Sequence, residues 1–250
     1  GGEMNAVVKE KADVEVRFAF CFPDLYEVGM SHLGMKILYS LLNEQEGVWC
    51  ERVFAPWGDM EEEMRQNGVP LFALESGDPV GEFDMVGFTL QYELSYTNML
   101  NMLDLAGIPL YSAQRDSLSP LVVAGGPCVC NPEPVADFVD LFFLGEGEEV
   151  DLEIVELYRR YKKEGRSKAE FLRAAAQVEG VYVPSLYEVS YREDGTGAAV
   201  IPKEGAPAQV RKRIVKDMNR AYFPETFVVP YLDIVHDRAV SEVQRGCYRA

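Results

Sequence analysis

Short apolar stretches alternate along this chain with amphipathic ones. Residues 14–22 (VEVRFAFCF) are β-branched and aromatic and stop at Pro23-Asp24, which predicts a buried strand with a loop at its carboxyl end. Leu33, Ile37, Leu38, Leu41 and Leu42 then recur on one helical face, so a helix capped by Ser31 is expected to about Asn43. The unit repeats. A strand is expected over 50–55, then an acidic helix capped by Asp59 that runs to about Gln66 and closes at Asn67-Gly68. Residues 84–90 (DMVGFTL) predict a third strand, with a helix from about Tyr92 to Leu105 halted at Gly107-Ile108-Pro109. Strands over 121–124 and 141–144 follow, the last leading into a long helix to about Lys163. Strands and helices alternating at this spacing imply right-handed crossovers and a five-stranded parallel, doubly wound α/β sheet.

From Arg166 the pattern changes. A helix over 168–177 precedes short strands at 181–183, 187–191 and 198–201, with a turn at Glu193-Asp194-Gly195-Thr196-Gly197, which reads as a β-hairpin extension. Residues 203–220 are linker-like and carry six of the 24 basic residues. The alternation Ala239-Val240-Ser241-Glu242-Val243-Gln244 predicts a terminal strand running into Arg245-Gly246-Cys247. Three regions are therefore expected: an α/β domain over 14–165, an α+β hairpin extension and linker over 166–220, and a third region over 221–250.

Composition narrows the function. With 48% hydrophobic and 26% charged residues the 250-residue chain is an ordinary globular protein. Its 24 basic and 41 acidic residues leave a net charge of -17, which argues against a nucleic-acid phosphate backbone as partner. The basic stretch 203–220 is read as a solvated edge facing the acidic body. No apolar run reaches the roughly 18 residues of a membrane span, and Gly1–Lys11 has no signal-peptide layout. A cytoplasmic setting is expected, and five scattered cysteines fit a reducing compartment.

In a doubly wound sheet, ligands bind beyond the carboxyl ends of the strands. Four loops leave those ends here, and all are rich in Gly, Pro, Tyr and carboxylates. Their candidate cofactor-binding residues are Pro23, Asp24, Tyr26, Glu27, Gly29, Ser31 and His32; Gln91, Tyr92 and Glu93; Gly125, Gly126 and Pro127; and Gly145, Gly147 and Glu148. Glycines there let a bulky planar ligand approach the backbone, although each loop taken singly is equally a tight β-α turn. Glu146, Glu148 and Glu149 sit at a helix start, where the dipole favours carboxylates. Cys128-x-Cys130 lacks a second pair for a structural zinc site. No G-x-G-x-x-G follows the first strand, which weakens a Rossmann nucleotide reading.

The stretches PDLYEVGMSHLG (23–34), VVAGGPCVCNPEP (122–134), DLFFLGEGEE (140–149) and HDRAVSEVQRGC (236–247) occur in an order that resembles radical S-adenosylmethionine (SAM) proteins. Within them the match is to those carrying a cobalamin-binding-type domain ahead of the radical SAM barrel. The resemblance implies a flavodoxin-like strand order, 2-1-3-4-5, with the terminal cysteine opening a C-x3-C-x2-C loop. Cys247 would then be one thiolate of a 4Fe-4S cluster, Tyr248, Arg249 and Ala250 the spacer, residues 221–250 the start of a truncated radical SAM barrel, and the chain an N-terminal piece cut inside that loop. The intact protein would cleave SAM reductively, and the 5'-deoxyadenosyl radical would abstract hydrogen from a substrate. The piece itself would be inert, with the downstream barrel of the same chain as its partner. Arg245 would be an exposed charge, placed in the intact loop to meet cluster sulfurs or a carboxylate.

One departure counts against cobalamin. The D-x-H-x-x-G ligand motif is absent, because the loop reads Gly29-Met30-Ser31-His32-Leu33-Gly34. With the glycines aligned, Ser31 stands at the cobalt ligand's place and Met30 where Asp would precede it. His32 is then a helix N-terminal residue sharing hydrogen bonds. The competing reading is a non-catalytic binding or scaffold module, with or without cobalamin, presenting a macromolecular substrate to the barrel.

Overall fold

The computed structural model describes residues 2–203 and 205–246. Its centre is a six-stranded sheet. The strands are β1 (Val16–Phe22), β2 (Val48–Phe54), β3 (Met85–Thr89), β4 (Leu121–Gly125), β5 (Leu141–Phe143) and β6 (Val181–Tyr182), ordered β2-β1-β3-β4-β5-β6. The first five run parallel in the flavodoxin-like order. The sixth corrects the expectation of a five-stranded sheet: Val181–Tyr182 pairs antiparallel to β5 instead of staying with the hairpin. It covers an edge that the three-residue β5 would otherwise leave open.

The longer helices are α1 (Leu33–Asn43), α2 (Gly58–Asn67), α3 (Tyr96–Leu105), α4 (Gly147–Glu164) and α5 (Lys168–Ala175), with a single helical turn at Tyr26–Gly29 before α1. Side chains alternate across a strand, so β1 divides its residues between two cores. Phe18, Phe20 and Phe22 pack with residues of α1, α4 and α5, whereas Ala19 and Cys21 pack with residues of α2 and α3. Buried on both faces, the central strands need the near-continuous apolar runs seen in the sequence.

Two helix caps differ from expectation. His32, not Ser31, caps α1, its ring accepting the Met35 amide at 3.1 Å. Ser31 Oγ instead donates to the Glu27 carbonyl at 2.7 Å and accepts the His236 amide at 3.0 Å. Helix α2 starts after Trp57, and Asp59 lies inside its first turn.

Beyond the sheet, β7 (Tyr187–Tyr191) and β8 (Gly197–Pro202) form the antiparallel hairpin. The chain then returns along the carboxyl rim of the sheet, where Arg213 bridges Gly145. Glu3–Met4 and Val229–Pro230 form a two-residue ladder that ties the amino-terminal stretch to the returning chain. Residues 239–246 form no strand. Alternation gives a segment two faces but no hydrogen-bonding edge to join, and side-chain ion pairs hold this one.

Candidate functional site

Glycines replace large side chains at several positions on the face under α1 and α4 toward the carboxyl rim. The positions run Met85, Gly87, Thr89 in β3; Leu121, Val123, Gly125 in β4; and Leu141, Phe143, then Gly145 after β5. A cavity of about 230 Å3 opens where the large side chains stop. Gly87 is required for its shape, because a Cβ there would stand 2.5 Å from Phe18 Cζ. The Phe18 ring can therefore lie across β3 and, with Phe20 and Phe143, form an aromatic wall.

His32, Gln91, Gly125, Gly126, Pro127, Gly145 and Gly147 all line this cavity. His32 Nδ1 accepts the Met35 amide, so its proton sits on Nε2, 3.1 Å from Gln91 Oε1. Gln91 in turn donates to Thr89 Oγ1 at 2.5 Å. Burial lowers the His32 pKa, outweighing the Gln91 hydrogen bond, and holds the ring neutral. Neither nitrogen has a free lone pair for a metal unless the α1 cap breaks.

The other candidates fall outside the cavity. Asp24 accepts the Tyr92 hydroxyl at 2.6 Å, the Pro23 carbonyl accepts Asn98 at 3.0 Å, and Glu93 is exposed. Tyr26 turns away, donating to Glu3 at 2.6 Å and packing edge-on against Phe54. The Glu27 side chain is exposed, and Gly29 is buried where a Cβ would stand 2.3 Å from the Phe54 ring. Gly145, at φ +110, is fixed by chain crossing: a Cβ would stand 2.1 Å from the Arg213 carbonyl oxygen.

The carboxylates before and within the first turn of α4 are not caps. None makes a side-chain capping bond. Glu146 accepts the Val215 amide, Glu149 binds Arg213 at 2.7 Å, and Glu148 is buried against Arg245. Arg245 is thus no exposed charge; it also binds Glu242 at 2.7 Å and lies 3.5 Å from Glu146. The helix start is a cleat for the returning chain. Cys247 lies outside the described residues, and among those described no group of three His, Cys, Asp or Glu could hold a metal ion. Cys128 is half-buried beside Tyr96, and Cys130 is exposed.

Sequence reading missed Asp151. It lines the cavity at 6% exposure, one turn into α4. Its signal was present: Asp151 shares the buried stripe of α4 with Ile154, Val155 and Tyr158, at i+3, i+4 and i+7. Burial, and then the neighbouring Glu148, push its carboxyl up to about 8, and no hydrogen bond or cation among the described residues offsets them. Gly147 gives this carboxyl room, since a Cβ there would meet Asp151 Oδ2 at 3.0 Å.

The fold and rim define a flavodoxin-type α/β domain with a glycine-lined cavity at the carboxyl ends of its strands. The chain belongs to the family of radical SAM proteins, N-terminal, whose pattern matches residues 34–184, more than half its length. It is 28% identical over 148 residues to an uncharacterised protein of Methanocaldococcus jannaschii, covering 59% of this chain and 28% of that one. The cobalamin-dependent S-adenosylmethionine radical enzyme OxsB, solved with aqua-cobalamin and S-adenosylmethionine bound, is similar at 14% identity and a TM-score of 0.44, over 80% of this chain and 22% of that one. The radical S-adenosylmethionine methyltransferase TsrM of Kitasatospora setae, solved with tryptophan substrate and a SAM analogue, is similar at 14% identity and a TM-score of 0.41, over 72% and 29%. The matched stretch therefore spans less than a third of each of these relatives. No helix among the described residues is long and apolar enough to cross a membrane.

Proposed function

We propose that this chain is the N-terminal domain of a radical SAM enzyme and holds the entry to the cluster loop against the rim of its own sheet. One observation carries the reading. Arg245, two residues before Cys247 in sequence, is fastened to Glu148 at the start of α4, with Glu146 and Glu242 completing the charge cluster. A 4Fe-4S cluster, with Cys247 as one thiolate, would supply the electron for reductive cleavage of SAM. The domain's own residues contribute position: Glu146 and Glu149 hold the returning segment 213–215, and Glu148 holds Arg245.

The test reconstitutes two forms with iron and sulfide under reducing conditions. A protein extended through a complete cluster loop should turn SAM into 5'-deoxyadenosine, and Cys247→Ala should abolish this. The 250 residues alone should hold no stable cluster. A stoichiometric 4Fe-4S spectrum from these residues alone, or turnover that survives Cys247→Ala, would overturn the proposal. A rim serving only as a scaffold is the second reading, favoured by the closed hydrogen bonding of His32.

A further inference from the structure

A second cavity lies at the opposite end of the sheet from the glycine-lined rim. Asp140 directly precedes β5 and binds Arg115, from the connection between α3 and β4, and Lys168, the first residue of α5. All three are buried, at 1%, 6% and 7% exposure. Asp140 Oδ1 lies 3.1 Å from Arg115 Nη2 and 2.8 Å from Lys168 Nζ, while Oδ2 accepts the Val122 amide at 2.8 Å. Among the described residues no other carboxylate pairs with either cation, so two buried cations share one anion. The positive end of the α5 dipole adds to this excess beside Lys168, and Glu170 is committed to the Ser167 cap and to Arg166. The donors are not all used. Arg115 Nη1 donates to the Pro109 and Leu110 carbonyls and Nη2 to the Phe138 carbonyl and Asp140, but its buried Nε has no partner. Lys168 donates to the Arg115 carbonyl at 2.6 Å and to Asp140, which leaves one N–H of its ammonium.

We propose that this groove binds a small aliphatic monocarboxylate, its oxygens taken by the unused N–H groups of Arg115 and Lys168. Both residues line a cavity of about 480 Å3, within the range of small-molecule sites. A bound carboxylate would set two anions against the two buried cations, and an uncompensated buried charge is among the most costly features a fold can carry. Beyond the charges the lining is apolar, with Ala136, Val139, Leu172 and Leu186 offering a surface for an aliphatic tail. Asp116, Asp137 and Arg173 stand exposed along the same groove. Two carboxylates against one guanidinium leave its outer part negative, which disfavours a second anionic group and so selects a monocarboxylate over phosphate. The inference goes beyond the radical SAM reading and survives its failure, because the groove lies at the other end of the sheet and needs neither Cys247 nor the rim.

The test titrates the purified 250-residue chain calorimetrically, at fixed ionic strength, with isocaproate, with isocaproamide, which has the same tail but no charge, and with inorganic phosphate, which has charge but no tail. Isocaproate should bind about tenfold more tightly than either of the others and should shift the methyl NMR signals of Leu172 and Leu186. Lys168→Met should erase the preference for isocaproate over isocaproamide. That variant leaves Arg115 and Asp140 as a one-to-one pair, so it should fold. Equal binding of isocaproate and isocaproamide by the native chain would overturn the role of the charge cluster, as would a preference that survives in Lys168→Met. Phosphate binding as tight as isocaproate would overturn the monocarboxylate. Absence of isocaproate binding, or shifts confined to residues of the rim cavity such as Val123, would overturn the site, and these comparisons on the native chain stand even if the variant fails to fold.

Discussion

Asp151 and His32 show how burial dominates the chemistry of a single side chain. The Asp151 carboxyl, pushed up to about 8 by burial and by Glu148, binds a proton in the native chain that it loses in the unfolded chain above its ordinary value of 3.8. Native stability should therefore fall as the pH rises from about 4 to about 8 and be flat above that, at a full cost on the order of 5 kcal/mol. Asp151→Asn should remove that part of the slope, read from urea unfolding at a series of pH values; an unchanged slope would show that the native carboxyl is ionised and partnered. His32 shifts the other way. Its lowered pKa means that the unfolded chain protonates first on acidification, so its contribution to stability is lost as the pH falls below about 6.5. Because both ring nitrogens are engaged, His32→Ala should leave any retention of hydroxocobalamin on gel filtration unchanged while costing about 1 kcal/mol for the lost cap. Loss of a co-eluting corrin in that variant would make His32 a cobalt ligand.

At the level of elements, the glycines of the rim separate into different jobs. Gly87 makes the cavity, Gly147 accommodates Asp151, and Gly145 lets the returning chain cross the end of β5. Gly87→Ala should force the Phe18 ring out of its place and cost about 1–3 kcal/mol, measured by urea denaturation; unchanged stability would show that the ring can shift freely. Gly145→Ala should act elsewhere. It combines a left-handed backbone with a clash against Arg213, so the amides of Arg213 and Glu146, which bond to Leu144 and Arg213 carbonyls, should lose hydrogen-exchange protection. Protection kept at both amides would show that the crossing tolerates a side chain.

For the whole molecule, the recurring device is closure by charge. An acidic chain with a net charge of -17 places Arg213 and Arg245 where the start of α4 concentrates its carboxylates. Glu148→Gln should leave the sheet intact but loosen residues 238–246. The expected readout is faster cleavage after Arg238 or Arg245 in limited trypsin digestion, with less than about 1 kcal/mol change in global stability, because residues 239–246 lie outside the sheet and Arg245 keeps Glu242 as a partner. Equal cleavage rates would show that apolar packing, not the ion pair, holds this segment.

The sequence by itself determined the order of elements, the parallel sheet and the loops that meet at its carboxyl rim. Those are local properties: the apolar runs of β1 to β5 and the helical stripe of Leu33 to Leu42 are written in neighbouring positions, and handedness then limits their connections. Only the tertiary structure decided what the rim residues do. Glu148 reads as a dipole-favouring acid until Arg245, 97 residues away, arrives beside it. Val181–Tyr182 reads as part of a hairpin until the open edge of β5 is in view. Asp151 passes for one more acid in an acidic helix until α4 is laid over Gly87 and Phe143, and burial pushes its carboxyl toward the protonated form.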